Sequence, residues 1–370
     1  MINAIQTELS NGLTVSLDWL AFTVTSEKYD TFESVAALFG LDPHDFIVQP
    51  KGSYGYKTRF KHSAEIINIL TDGNEDMGIH VSCSASSLLY FIEHYRQTLQ
   101  VNTPFGQGYD LNNFDSVLVS MLCLISNIGS FSRLDIALDD VGVAWYSLDE
   151  LFEIFMDKDR VRTRYRTFGS NMSRNFDDGR TKQGHTLTLG SRDTDCYLRI
   201  YDKQLEQAKK RGVTPDQLPA WVRWELEIKG HDTCMKLVNY LIDGRSLGSV
   251  FCGILANKMR IVVPDSSVTN STRLETDPKW EQFICSAEKL SISVPKSEKT
   301  LDSKREWISQ QVAPTLSAIV QSEYGDKTTI ERWIETGDLR MSSSLRSLVK
   351  KKLKDNEWEQ KLPFRDDYDI

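Results

Sequence analysis

The sequence DCYLRIYDKQLE spans residues 195–206 and is the pattern of a short strand that runs into a charged helix. Side chains alternate between the two faces of a strand. One face is therefore apolar, and the other is expected to carry two phenols and two cations: Tyr197, Arg199, Tyr201 and Lys203. A phenol beside fixed positive charge ionises more readily, and the same charge attracts a phosphate. The simpler interpretation is an amphipathic strand with a polar outer face.

The composition predicts a globular protein with a sizeable core, because 40% of its 370 residues are hydrophobic. The sequence has no apolar run of eighteen residues and no signal-peptide pattern, so we expect a cytoplasmic protein without a membrane partner. Its six cysteines lack Cys-x-x-Cys spacing, which predicts buried free thiols. The net charge of −8 argues against non-specific coating of nucleic acid but permits a local basic groove.

A second informative segment is FSRLDIALDD, residues 131–140, whose apolar side chains at alternate positions predict a buried face. The opposite face would carry Arg133, Asp135, Ala137 and Asp139. Neighbouring carboxylates repel, and a hard cation with oxygen ligands relieves that repulsion. Alternatively, Arg133 pairs with Asp135, and Asp139 and Asp140 begin a turn. The residues leave both interpretations open.

A third segment, WVRWELEIK at residues 221–229, repeats the pattern. Its apolar positions face the core, while the other face carries Arg223, Glu225, Glu227 and Lys229. Three faces of like chemistry are useful only when adjacent. We therefore predict that residues 133–139, 197–203 and 223–229 lie side by side in one mainly antiparallel sheet.

Residues 158–182 are rich in arginine, with alternating Arg160, Arg162, Arg164 and Arg166. On an extended chain these side chains would form one cationic edge able to follow a phosphate backbone. A solvated run of charge is the alternative, but nearby aspartates balance it only in part. We predict that Arg162, Arg164 and Arg166 bind DNA phosphates, and that residues 169–184 form a loop.

The predicted fold class is α+β, with a mainly antiparallel central sheet that carries the active site, flanking helices and a helical C-terminal region. Residues 1–265 are assigned to a catalytic domain, within which residues 1–70 could form an N-terminal subdomain. A polar stretch at 266–278 suggests a boundary. Residues 266–370, with helices expected at 304–319 and 345–354, are assigned to DNA or partner binding.

Four sequence blocks together resemble the replication initiation factor family: RLDIALDD (133–140), GSR (190–192), LRIYDKQLE (198–206) and WVRWELEIKG (221–230). The family contains rolling-circle initiators of small plasmids and filamentous phages, and relaxases of conjugative transposons. The resemblance runs from about Asp18 to about Ile319 and includes KREWISQQV at 304–312. One departure follows residues 80–82, where the family often has Gly-Gln-Gly and this chain has Ala-Ser-Ser at 85–87.

The resemblance implies a metal-dependent DNA strand transferase that nicks one strand at an origin. It would form a 5′-phosphotyrosine and a free 3′-OH, and later rejoin the strand. Tyr201 matches the nucleophile, with Tyr197 as the other candidate on that face, and Lys203 would stabilise developing charge. Mg²⁺ or Mn²⁺ would be held by carboxylates, for which the candidates are Asp135, Glu225, Glu227 and Asp139. The expected DNA contacts on the same face are Arg133, Arg199 and Arg223.

The implied partners are origin DNA, single-stranded or as a supercoiled duplex, and a host replicative helicase, and a homodimer is left open. A conjugative relaxase of the same chemistry is the nearest alternative. A non-enzymatic, sequence-specific DNA-binding regulator could use residues 158–182 and the C-terminal helices. A metal-dependent nuclease without a covalent intermediate is a further alternative. A phenol and carboxylates on one face favour the nicking enzyme.

Overall fold

The computed structural model describes residues 6–74, 76–102, 110–176, 182–268, 270–294 and 300–355. The chain divides into two compact units, residues 1–293 and 294–370. This boundary lies later than the 265/266 position suggested by the sequence. The reason is that residues 278–292 add buried side chains, Trp280, Phe283 and Leu290, to the core of the first unit.

A large antiparallel sheet forms the centre of the first unit. In the described part of the chain it contains eleven strands: β1 Gln6–Glu8, β2 Thr14–Val24, β3 Phe46–Gln49, β4 Thr58–His62, β5 Ile67–Thr71, β6 Ile79–Ser84, β7 Gly129–Val141, β9 Phe168–Arg174, β10 Lys182–Leu189, β11 Cys196–Asp202 and β12 Trp221–Lys229. The two other strands, β8 Val161–Thr163 and β13 Met259–Ile261, pair with each other in a separate sheet.

The order of strands in the large sheet is β3-β4-β5-β6-β2-β7-β12-β11-β10-β9, and β1 pairs with β2. Strand β12 pairs with β7 on one side and with β11 on the other, antiparallel in both cases. The predicted adjacency of the three informative strands is therefore confirmed.

Helices cover the apolar face of this sheet. The first unit contains α1 Phe32–Leu38, α2 Ala85–Asn102, α3 Phe114–Ile128, α4 Leu148–Met156, α5 Lys203–Arg211, α6 His231–Ile242, α7 Leu247–Lys258 and α8 Pro278–Phe283. On β7 the apolar side chains of Leu134, Ile136 and Leu138 are fully buried. Helices α3, α6 and α7 all pack against β7. The predicted α+β fold class is confirmed.

The junction between β11 and α5 decides where Lys203 lies. The Asp202 side chain accepts a hydrogen bond from the Leu205 backbone N–H at 2.9 Å and so caps the helix. The helix ends at Gly212, whose φ of +66° favours glycine. Lys203 is therefore the first residue of α5, and the prediction that it extends the face of the strand is wrong.

The arginine-rich segment is extended only in part, since its first strand is the three-residue β8. The predicted loop at 169–184 is wrong over most of its described part, because β9 pairs with β10 from Phe168 to Arg174. Residues 177–181 lie outside the described residues. An exposed edge strand needs no apolar alternation, so the sequence of β9 has no strand pattern.

The second unit is helical, as predicted. Its described elements are α9 Leu301–Trp307, a π-helical segment Ile308–Val312, α10 Ala313–Ser322, α11 Thr328–Leu339 and α12 Ser343–Asp355. Helix α11 was not predicted. All six cysteines are free, and four of them are buried: Cys83, Cys196, Cys234 and Cys252. Among the described residues, no helix combines the length and apolarity needed to cross a membrane.

Candidate active site

The antiparallel register places the predicted residues in rows on the polar face of the sheet. Tyr201 lies opposite Arg223, and Arg223 lies opposite Asp139. In the next row Arg199 lies opposite Glu225. The third row contains Tyr197, Glu227 and Asp135. Side chains directly opposite on neighbouring strands are close enough to interact, so the sheet brings the predicted phenols, carboxylates and arginines together.

Tyr201 is half-buried, and its hydroxyl donates a hydrogen bond to Glu225 Oε2 at 3.3 Å. Burial raises the pKa of Tyr201 well above its usual value, and the negative charge of Glu225 raises it further. The Lys203 ammonium lies 5.5 Å from the centre of the Tyr201 ring, although Lys203 belongs to α5, and it pairs with Glu206 at 2.5 Å. The phenol is thus held protonated, with a carboxylate in position to accept its proton.

Ion pairs connect most of the remaining charges in this region. Arg199 pairs with Glu225. Arg133 donates to Asp135 through two nitrogens, at 2.8 and 2.5 Å, and reaches Glu227 at 2.8 Å. Lys229 pairs with Glu227 at 2.7 Å. One alternative left open by the sequence, that Arg133 pairs with Asp135, is therefore observed.

Arg223 is buried between two carboxylates. It donates two hydrogen bonds of 2.7 Å to Asp139 and one of 2.5 Å to Asp18. The Trp221 indole N–H also donates to Asp139, at 2.7 Å. Asp139 thus stays in β7, whereas Asp140 accepts hydrogen bonds from two backbone amides, those of residues 144 and 145, in the turn that follows.

The three arginines predicted to bind phosphates occupy different places. Arg162 and Arg164 line a cavity beside β13, whereas Arg166 is exposed and does not line it. The predicted continuous cationic edge is not formed, because the paired strand ends at Thr163.

Comparison with known proteins places the chain in a family. A sequence model described as replication initiation factor matches residues 129–334, which is more than half of the chain. The chain belongs to the replication initiation factor family. The matched region starts at β7 and so includes the three strands that form the polar face, but it begins later than Asp18, where the resemblance was expected to start.

A relative and a solved structure agree with this family assignment. A protein of Bacillus subtilis (strain 168) named as a DNA relaxase, NicK, is 29% identical over 212 residues, which cover 57% of this chain and 59% of that relative. A rolling-circle replication initiator protein from Geobacillus stearothermophilus superimposes with a TM-score of 0.60 at 22% identity, over 76% of this chain and 99% of that chain. The latter likeness shows that the fold is shared.

The four predicted metal ligands of this family member suit a hard cation chemically, because all are carboxylates. Burial raises the pKa of Asp135 to about 7, with further increases from Glu225 and Glu227 that the Arg133 charge opposes. However, each predicted ligand is already paired with arginine or lysine. Within the described ranges, no three His, Cys, Asp or Glu side chains are grouped to hold a metal. As they stand, the carboxylates do not form a ready metal site.

Two residues near the site were missed by the sequence reasoning. Asp18 lies at an irregularity between Leu17 and Trp19, where the pairing of β2 with β7 shifts register. Burial raises the pKa of Asp18, and Arg223 opposes this increase. The Arg133 guanidinium lies 5.2 Å from the centre of the Trp19 ring. Asp18 is the single charged residue of β2, and that was the signal in the sequence.

Proposed function

We propose that this chain nicks one DNA strand at an origin through Tyr201 and later rejoins it, as a rolling-circle replication initiator. The observation that carries the proposal is the hydrogen bond from the Tyr201 hydroxyl to Glu225 on a face that also carries arginines. A nucleophile beside a carboxylate base, itself paired with Arg199, is the arrangement that activates a hydroxyl for attack.

In the proposed reaction, the Tyr201 oxygen attacks the scissile phosphorus as its proton passes to Glu225. The bond between phosphorus and the 3′ oxygen breaks, and that oxygen leaves with the electron pair and is protonated by water. The products are a 5′-phosphotyrosine and a free 3′-OH. Rejoining is the reverse, in which the 3′-OH attacks phosphorus and the Tyr201 oxygen recovers a proton from Glu225.

The cations around the phenol would stabilise the transferring phosphate. Lys203 lies above the Tyr201 ring, and Arg199 is half-buried beside Glu225. Fixed positive charge at the developing negative charge lowers the barrier in a site of low dielectric. We expect Arg133, which retains partial exposure, to contact DNA more than Arg223, which is buried between two carboxylates.

A divalent cation, Mg²⁺ or Mn²⁺, remains part of the proposal. Asp135, Glu225 and Glu227 would hold it once Arg133 or Arg199 moves away, and Asp139 is the next candidate. Such an ion would polarise the phosphate. Origin DNA is the proposed substrate, and a replicative helicase and a second copy of the chain remain proposed partners.

The decisive experiment compares Tyr201→Phe with Tyr197→Phe on a supercoiled plasmid that carries the cognate origin. Tyr201→Phe removes the nucleophilic oxygen and preserves ring packing, so we expect normal folding and DNA binding without nicking or a covalent adduct. Tyr197→Phe should still form the adduct. A denaturing gel that detects protein on the 5′ end provides the measurement.

The other outcomes identify the alternatives. If Tyr201→Phe still becomes linked to the 5′ end and Tyr197→Phe does not, then Tyr197 is the nucleophile. If the wild-type protein nicks without any adduct, it is a nuclease without a covalent intermediate. If it binds the origin and never nicks, it is a regulator. Nicking with an adduct at a transfer origin would indicate the relaxase.

A further inference from the structure

A cavity of about 350 Å³ lies beside the two-stranded sheet of β8 and β13. Five basic residues line it: Arg162, Arg164, Lys258, Arg260 and Lys289. Its other lining residues are Thr163, Ala256, Asn257, Met259 and Thr272, so the lining contains neither a carboxylate nor an aromatic ring. None of the five cations forms an ion pair with a residue in the described ranges.

The two strands place like charges directly opposite each other. Arg260 pairs in register with Arg162, and such an opposition destabilises an antiparallel pair. The Arg162 guanidinium donates to the carbonyls of Lys158 and Val161 at 2.7 and 2.9 Å, which orient it without neutralising it. Its Nε is buried without a hydrogen-bond partner among the described residues. In the described part of the chain, the Arg162 charge thus has no carboxylate partner and lies opposite Arg260, so an anion bound beside both would relieve their repulsion.

The cavity belongs to the opposite face of the large sheet from Tyr201. The Lys258 ammonium lies 5.9 Å from the centre of the Tyr165 ring. The Tyr165 hydroxyl in turn contacts the Cys196 sulfur at 3.7 Å. Cys196 and Tyr201 lie five positions apart on β11, and therefore point to opposite faces. DNA bound in the cavity would thus touch the protein away from the nicking centre.

We propose that this cavity binds phosphate groups of a DNA backbone and anchors DNA on the side of the sheet opposite Tyr201. The ligand is a phosphodiester, because the lining offers cationic donors and no ring on which a base could stack. The inference rests on the proposed function in that it takes DNA as the substrate. It adds a second contact region, to which Lys258, Arg260 and Lys289 contribute together with Arg162 and Arg164.

The test uses the full chain with Arg164→Gln and Lys289→Gln, because both side chains are exposed and their replacement leaves the core intact. Binding of random-sequence duplex and of random-sequence single strands is measured against salt concentration by fluorescence anisotropy. Each lost phosphate contact should reduce the slope of log K against log salt by about 0.9 on duplex or about 0.7 on single strands. The form of DNA that shows the reduction is the form that the cavity holds.

A matched control removes two exposed positive charges elsewhere in the first unit, with Lys28→Gln and Lys61→Gln, and should leave both slopes unchanged. A second variant, Arg260→Gln, relieves the opposition to Arg162. Arg260→Gln should reduce the slope of log K against log salt by the amount expected for one lost phosphate contact, and it should retain or raise the thermal unfolding temperature at low salt. If the role of Arg260 is purely structural, the substitution would instead lower that temperature and leave the slope unchanged.

All of these variants are also measured with Tyr201→Phe in place, so the result does not depend on nicking. The proposal would be overturned if the double variant Arg164→Gln, Lys289→Gln had the same slope of log K against log salt as the wild type on both forms of DNA. The proposal would also be overturned if the control variant with Lys28→Gln and Lys61→Gln showed an equal reduction of the slope, because the effect would then reflect the total charge of the protein. Failure of the nicking proposal appears separately, in the adduct assay.

Discussion

At the scale of single residues, Glu225 has two partners. It accepts a hydrogen bond from the Tyr201 hydroxyl and forms an ion pair with Arg199. Glu225→Gln cannot take the phenolic proton, and we expect nicking at neutral pH to fall by about 10²–10⁴-fold. Because burial raises the pKa of Tyr201, little phenolate forms unaided. The residual rate of the variant should therefore rise about tenfold per pH unit through the neutral range, as the phenolate fraction does.

The measurement is single-turnover nicking against pH, and wild-type protein should show a shallower dependence. Glu93→Gln is the matched control, because Glu93 also pairs with an arginine, Arg96, but belongs to helix α2. It should retain the wild-type pH profile. A Glu225→Gln variant with the rate and profile of the wild type would exclude Glu225 as the base.

Arg133 pairs with carboxylates that the proposed metal site would use. It pairs with both Asp135 and Glu227, so a divalent cation must compete with it. We expect Arg133→Gln to bind Mn²⁺ more tightly than wild-type protein in the absence of DNA, as measured by titration calorimetry. Arg96→Gln removes an arginine paired with Glu93 and should bind Mn²⁺ like the wild type. Weaker binding by Arg133→Gln would show that Arg133 supports the metal site.

At the scale of elements, Arg223 connects β12 to β7 and β2 through Asp139 and Asp18. Removing one partner of a buried ion pair leaves uncompensated charge and costs about 3–5 kcal/mol. Arg223→Leu should lower the free energy of unfolding by that amount in urea titrations. Arg245→Leu breaks a pair with the exposed Glu288 and should cost less than about 1 kcal/mol. Equal losses in both variants would contradict this role for Arg223.

The strands that carry the polar face were predictable from sequence because each alternates apolar side chains with charged or phenolic ones, although most of those charged side chains prove to be buried. The alternation in β7, β11 and β12 indicates which side chains share a face. It left open whether Arg133 pairs with Asp135 or leaves it to a metal, because both residues lie on β7 and the choice depends on the conformation of their side chains. Lys203 was misplaced because the Asp202 cap ends the strand one residue before it. Strand β9 was missed because its edge position removes the need for apolar residues.

At the scale of the whole molecule, the first unit contains every strand of the large sheet and all of the buried apolar side chains found in the described residues. We therefore expect a chain that ends at Ser293 to fold by itself, with a cooperative thermal transition measured by circular dichroism. It should still form the Tyr201 adduct on a single-stranded origin oligonucleotide. If the predicted DNA-binding region, 266–370, makes its contacts through residues 294–370, affinity for duplex origin should fall. A broad, non-cooperative transition would show that folding requires the second unit.

The position of β2 within the sheet has a consequence for synthesis of the protein. β2 pairs with β6 on one side and with β7 on the other. The second edge of β7 pairs with β12, which is synthesised later. As the chain leaves the ribosome, the β2–β6 half can form early, but the backbone groups on the second edge of β2 stay unpaired until β7 has followed α2 and α3. Contacts between such distant segments slow folding and expose strand edges. We expect the newly made N-terminal half to depend on chaperones until residues 129–141 emerge.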